Sequence, residues 1–130
     1  MEILFRAKSI YGNTFVDGCL IKKRFTAFSE WMIRDEKGLE SDVITETIGQ
    51  YVNVEDSDGE KLFVGDLIKC ETNDLIYEIC TGKGGFLLKS INLKHTTLTP
   101  LADERTVEWI KSGCIKIGNI HDNPELLETA

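Results

Sequence analysis

The chain is poor in the residues and spacings that mark metal centres, redox motifs and membrane spans. It has two histidines and four cysteines in 130 residues, and no two cysteines are spaced as C-x-x-C or as in a zinc finger. No apolar run approaches the ~18 residues that cross a bilayer. Glu2 and Arg6 interrupt the first apolar residues, where a secretory signal would be continuous. These absences predict a cytoplasmic protein without metal or cofactor, whose cysteines are reduced, half-buried strand residues.

Proline is also scarce, since only Pro100 and Pro124 occur, and no proline-rich linker divides the chain. A composition of 42 % hydrophobic and 28 % charged residues is that of an ordinary globular domain. We therefore expect one domain over residues 1–130. A finer division would place an N-terminal β subdomain (1–46) against a small barrel (47–130).

Acidic residues outnumber basic residues, so the formal net charge is −7. An acidic surface repels phosphate, so non-specific nucleic-acid binding is disfavoured. The single basic run is Lys22, Lys23 and Arg24. It fits a solvated strand end better than a phosphate contact, and it stays a candidate interaction surface.

Most segments of the chain either alternate between apolar and polar residues or are short apolar runs. These patterns predict strands over most of the chain. Residues 28–34 fit a strand with Trp31 and Ile33 inward about as well as a helix, and the neighbouring strands favour the strand. Asp17-Gly18 is typical of a type I′ hairpin turn. Helices are predicted at 103–112, with Asp103 as the N-cap, and after Asn123. The fold class is therefore mostly β: a small β-barrel or intertwined antiparallel sheets with one or two short helices. The predicted strands cover residues 2–7, 14–16, 19–25, 28–34, 50–54, 61–63, 67–70, 75–81, 86–90 and 114–120.

The stretch 47–69 is predicted to form a strand, a turn, a short strand, a second turn and a third strand. The rest of the chain is expected to be organised around it. Asp56, Asp58 and Gly59 are turn residues, and Gly65 and Asp66 form a second sharp corner. A calcium loop is rejected, because an EF-hand with its glycine at Gly59 would begin at a valine and end at a glycine.

Two further features resemble binding sites, but structural roles in a turn and in the core explain them better. The run Gly82-Lys83-Gly84-Gly85 lacks the P-loop spacing and lies between strands, which favours a glycine-rich hairpin over a phosphate cradle. The aromatics Trp31, Trp109, Tyr51 and Phe63 could line a groove, but core positions are favoured. Tyr51 is the one most expected on the surface, because its alternation partners are apolar.

Three blocks of the chain resemble the YopX-type family of small phage and prophage proteins. They are I-L-F-R-A near the start, G-Q-Y followed by D-S-D-G-E-K-L-F-V-G-D-L-I-K in the middle, and I-G-N-I-H-D-N-P-E-L-L at the end. The resemblance spans nearly the whole chain. It implies a mostly β fold of intertwined small sheets or barrels and a phage or prophage origin, and it carries over no catalytic residue. Lys8 departs from the pattern, because the family often has an aromatic there.

The expected function is a non-catalytic binding or assembly module of a phage or prophage, present in the host cytoplasm. A protein partner or a second copy is the expected partner, with no membrane. The alternative is a nucleic-acid-associated small barrel that uses the basic run with Lys83 and Lys89. A third reading, an enzyme, would need His95, His121 or a cysteine to converge with carboxylates in the folded chain.

Overall fold

The structure is a computed structural model that describes residues 1–24, 29–91 and 96–128. The expected strand positions Phe25 and Phe28, and His95, lie outside the described residues. The chain divides into two compact units, Met1–Tyr51 and Val52–Ala130. The boundary falls inside the stretch 47–69, a few residues beyond position 46.

Eleven strands and one α-helix are present in the described residues. The strands form two antiparallel sheets, in the orders β4-β3-β2-β1-β5-β6 and β10-β9-β8-β7-β11. Two 3₁₀ helices, Thr45–Thr47 and Pro124–Glu128, complete the fold. The strands are β1 (Phe5–Lys8), β2 (Phe15–Lys22), β3 (Trp31–Arg34), β4 (Glu40–Asp42), β5 (Gly49–Glu55), β6 (Lys61–Phe63), β7 (Asp66–Cys70), β8 (Ile76–Gly82), β9 (Gly85–Ser90), β10 (Leu98–Pro100) and β11 (Cys114–Asn119), with helix α1 (Glu104–Gly113) between β10 and β11.

The first unit is built on the hairpins of β1 to β4. Ala7, Ile33 and Val43 form its buried centre, and Trp31 packs against them. The strand prediction for β3, with Trp31 and Ile33 inward, is therefore confirmed. At the far end of this unit, Gly49 and Gln50 of β5 pair with β1.

The predicted hairpin at Asp17-Gly18 is wrong, because both residues lie in the middle of the continuous strand β2. Gly18 has φ +153, and a Cβ built on it would lie 2.1 Å from the carbonyl oxygen of Arg34 on β3. The glycine is needed for the close approach of two neighbouring strands rather than for a reversal of the chain.

The second unit has a sandwich-like core between its two layers of strands. Val54 of β5 and Leu62 of β6 join one buried cluster with Ile68, Ile79 and Leu88 of the five-stranded sheet. Fully burying an aliphatic side chain of this size stabilises a fold by about 1.5–3 kcal/mol. This cluster is the hydrophobic core of the unit.

Helix α1 closes this core as the sequence predicts. Asp103 accepts a hydrogen bond from the Arg105 amide at 3.0 Å and so caps the first turn. Ile110 is fully buried and Val107 packs beside it. The helix ends at Gly113, and the chain enters β11 directly at Cys114.

The mostly β prediction, with antiparallel sheets and a short helix, is confirmed. Across the described residues each sheet has open ends, so neither closes into a barrel. The glycine-rich turn is a two-residue hairpin loop in which Gly82 pairs with Gly85, as expected. None of the helices in the described ranges has the length and apolar character required to cross a bilayer.

Replacing Gly18 by alanine should destabilise the first unit by about 2–3 kcal/mol, because the new methyl group meets backbone that cannot rotate away. The measurement is the free energy of unfolding from urea denaturation. Gly38→Ala is the matched control, since Gly38 also has positive φ (+87) but open space around its Cβ position. It should cost about 1 kcal/mol. Equal costs for the two variants would contradict the close-approach explanation.

Candidate functional site

The Asp56 carboxylate holds together the first turn of the stretch 47–69. Its Oδ1 accepts the backbone N–H groups of Asp58 and Glu60, each at 2.9 Å. Its Oδ2 accepts the N–H of Lys116, also at 2.9 Å and 60 residues away in sequence. Gly59 has φ +82, the left-handed conformation expected of it. Asp56 therefore shapes its own turn and also binds β11.

The same turn covers the outer edge of the five-stranded sheet. Strand β11 is the last strand of that sheet, and its outward backbone groups would otherwise be open for pairing. The Ser57 N–H donates to the Cys114 carbonyl at 2.9 Å, and the Lys116 N–H is taken by Asp56. Two outward positions of β11 are thus occupied by the turn.

The second corner, Gly65-Asp66, is fastened to the same strand. Gly65 has φ +100, and Asp66, fully buried, accepts the Phe63 N–H at 2.7 Å. The ammonium group of Lys116 lies 3.4 Å from Asp66 Oδ2 and donates to the Lys61 carbonyl at 2.8 Å. The backbone amide of Lys116 therefore binds the turn at Asp56, and its side chain binds the corner at Asp66.

Cys70 and Cys114 form a disulfide between β7 and β11, so the expectation that the cysteines are reduced is wrong for this pair. The two residues are direct cross-strand neighbours with Cα atoms 4.2 Å apart. The Glu71 N–H donates to the Gly113 carbonyl, which makes Cys70–Cys114 the adjacent non-hydrogen-bonded pair, where opposed side chains come closest. Cys19 and Cys80 are free thiols.

A groove of about 190 Å³ lies beside this disulfide. Ile115 and Ile117 of β11 line it together with Cys70 of β7. Lys69, Glu71 and Asp74 stand around it. Lys69 and Asp74 make an exposed ion pair at 3.2 Å, which contributes little in water.

A β-bulge in β11 lies at Ile117, one of the residues that line this groove. The register of β11 against β7 shifts between Lys116 and Gly118, so that Ile117 is the extra residue. Bulges of this kind redirect a side chain and end regular pairing. Ile117 is 37 % exposed. Sequence alternation places Ile115 and Ile117 on one face, but it carries no signal for the bulge or the groove.

The predicted interaction surface is not assembled as expected. Tyr51 is 6 % exposed, so its expected surface position is wrong. Lys23 pairs with Asp42 at 2.7 Å, and Lys22 lies over the Trp31 ring at 5.9 Å. Arg24 is exposed. Two members of the basic run thus have intramolecular partners.

Two cations of β1 are buried, which the sequence did not predict. Arg6 and Lys8, both at least nine-tenths buried, lie over the Phe15 ring at 4.5 and 5.6 Å from its centroid. Such stacking compensates part of the desolvation of a cation.

The other candidates are structural where they are described. Trp109 packs edge-on against Tyr77 and donates to Thr72 Oγ1 at 3.0 Å, and Phe63 is buried, as the core interpretation predicts. The backbone N–H of His121 donates to Asn119 in the C-terminal loop. Within residues 1–24, 29–91 and 96–128, no three His, Cys, Asp or Glu side chains are gathered as a metal ion would require.

The C-terminal block G-N-I-H-D-N-P forms a loop that caps itself. Asn119 Oδ1 accepts the N–H groups of His121 and Asp122, both at 2.9 Å. Asn123 Oδ1 accepts the Asn119 N–H and lies 2.3 Å from where a Cβ on Gly118 would stand. These hydrogen bonds fix the shape of the loop that follows β11.

Comparison with known proteins agrees with this fold. The family model described as YopX protein matches residues 4–128. The crystal structure of protein EF1440 from Enterococcus faecalis is similar at a TM-score of 0.62 and 20 % identity, covering 98 % of this chain and 99 % of that one. No curated protein matches. At this identity the likeness establishes the fold alone.

Replacing Asp56 by asparagine should lower the free energy of unfolding of the second unit by about 1.5–3 kcal/mol. An asparagine side chain has no charge and one acceptor oxygen, so it cannot accept both the N–H groups of the turn and the N–H of Lys116. Urea denaturation measures this loss, and hydrogen exchange should show faster exchange of the Lys116 amide. Asp58→Asn is the matched control, since Asp58 is an exposed neighbour in the same turn. Its change should stay within about 0.5 kcal/mol. Similar losses in both variants would contradict the assigned role.

The two free thiols should differ in reactivity with iodoacetamide. Burial, and then the negative charge of Glu78, raise the pKa of Cys80, while Lys89 lowers it by less. The reactive thiolate of Cys80 is therefore scarcer near pH 7 than that of an ordinary cysteine, and its fraction increases as the pH rises. We expect exposed Cys19 to be labelled first at pH 7.5 and Cys80 to catch up at higher pH, as followed by peptide mass spectrometry. Labelling of Cys80 before Cys19 at pH 7.5 would contradict this order.

Proposed function

The chain belongs to the YopX family, and on that premise we propose that it is a non-catalytic binding module of phage or prophage origin. The observation that carries the proposal is the groove at Ile115 and Ile117. An apolar groove on a folded surface with polar residues at its rim is the usual form of a protein-docking site.

The charges around the groove favour one kind of partner. Glu71 and Asp74 outnumber Lys69 at the rim, and the whole chain carries a net charge of −7. Complementary charge steers association and selects partners. We therefore assign the groove to a segment of a protein partner that inserts an apolar side chain between flanking lysines or arginines.

Pairing through sheet edges is a weaker route to association. At β11 the outward groups are held by Asp56 and Ser57. At β10, Pro100 occupies an outward position and has no N–H to donate. Both edges of the five-stranded sheet are thus poor templates for another strand, which favours side-chain docking in the groove.

Nucleic-acid association is the lesser alternative. Its basic candidates are partly engaged within the first unit, since Lys23 is paired with Asp42 and Lys22 lies over Trp31. The remaining cations on an acidic chain give a weak electrostatic footprint for phosphate.

Selection from a random peptide library displayed on phage tests the proposed function. Peptides that bind the wild-type protein should be enriched in an apolar residue flanked by lysine or arginine. Their affinity for Ile117→Ser should fall about tenfold, because the mutation removes apolar contact area worth roughly 1–2 kcal/mol. Fluorescence anisotropy gives the affinities.

Leu39→Ser is the matched control for this experiment. Leu39 is 67 % exposed and lies in the first unit, so this variant makes the same apolar-to-polar change away from the groove. Its affinity for the selected peptides should be unchanged. The proposal fails if no peptide is enriched and light scattering finds a strict monomer, or if Leu39→Ser and Ile117→Ser have equal effects.

A further inference from the structure

The disulfide Cys70–Cys114 joins the edge strand β11 to its neighbour β7. Both cysteines are 0 % exposed. Cys114 is the first residue of β11 and follows the last residue of α1 directly. The bond therefore fastens the point where the helix becomes the edge strand.

The other connections at this point are non-covalent. On the inner side, Glu71 donates to Gly113. On the outer side, Ser57 donates to Cys114 and Asp56 accepts from Lys116. Hydrogen bonds of this kind each contribute about 0.5–1.5 kcal/mol net, and edge elements held by few of them open locally without global unfolding.

We propose that the Cys70–Cys114 disulfide is a redox lock on β11 and the end of α1. In the oxidised state the covalent bond keeps β11 on β7. In the reduced state the same segment is held by hydrogen bonds and packing alone, and it opens more often. The bond closes a loop across a sequence separation of 44, so it restricts the chain whenever β11 leaves β7, and its loss removes that restriction from the open state.

The chemistry of the switch is thiol–disulfide exchange with a dithiol reductant. A thiolate of the dithiol attacks one cysteine sulfur, the S–S bond breaks, and the other cysteine leaves as a thiolate that takes a proton. The second thiol of the reductant then attacks the mixed disulfide and releases the remaining cysteine. The protein gains two electrons and two protons, and the reductant leaves as its own disulfide.

Burial makes the opening of β11 a condition for this reaction. A dithiol cannot approach either sulfur while β11 is docked, because neither cysteine is exposed to solvent. Reduction therefore proceeds through the locally open state. The groove is formed by Cys70, Ile115 and Ile117 among others, so its geometry follows the lock. That last consequence rests on the proposed binding function, whereas the lock itself does not.

Hydrogen exchange followed by mass spectrometry tests the lock on the full chain. The oxidised protein is compared with protein reduced by dithiothreitol, and with Cys70→Ala/Cys114→Ala. In both disulfide-free forms we expect residues 104–119 to exchange about tenfold faster or more, while the β8–β9 hairpin changes little. Cys19→Ala/Cys80→Ala is the control and should exchange like the oxidised wild type.

The urea dependence of the reduction rate gives a second reading that does not need the double variant to fold. A local opening exposes less surface than global unfolding, so the rate should rise with urea with a slope smaller than the equilibrium m-value. Three results would overturn the lock: equal exchange in oxidised and reduced protein, a slope equal to the global m-value, or four alkylatable thiols in protein prepared without reductant. Peptide binding is measured separately, so a failed groove leaves the exchange result intact.

Discussion

The Asp56 carboxylate is the interaction on which the second unit most depends. One oxygen closes the turn between β5 and β6, and the other binds the edge strand β11 through Lys116. The side chain of Lys116 then meets the second corner at Asp66. The central stretch is thus more than a pair of reversals, because its two turns secure a strand that arrives about 60 residues later. A carboxylate suits this role, since it offers several lone pairs to N–H donors at once.

The groove and the disulfide both follow from where β11 is held. The outer side of β11 is occupied by the turn and its inner side by β7, so the strand cannot relieve its irregularity by sliding. The bulge remains at Ile117, whose apolar side chain is partly exposed to solvent. The same fixed register places Cys70 opposite Cys114. The groove and the covalent link are therefore two results of one strand placement.

Structural features that depend on neighbouring residues were predictable from the sequence. Features that depend on contacts with distant residues were not. The cap at Asp103, the Gly82–Gly85 hairpin and the positive φ of Gly59 each depend on residues within a few positions, and sequence reasoning found them. Gly18 was misread because its constraint is the carbonyl of Arg34 on another strand. Tyr51 was misplaced for a related reason. Alternation predicts two faces, but Tyr51 and Val52 are both buried where Asn53 takes a positive φ and interrupts the alternation.

By itself the sequence determined the mostly β class, the positions of the main turns, the helix with its cap, and the family. These follow from the period of apolar residues and from the side chains of turn residues, which act over a few positions. The tertiary structure alone decided that Asp56 reaches Lys116, that Cys70 meets Cys114, and that Ile117 faces a groove. Each of these depends on strand register across long separations, which is set by the packing of the whole unit and leaves no local mark in the sequence.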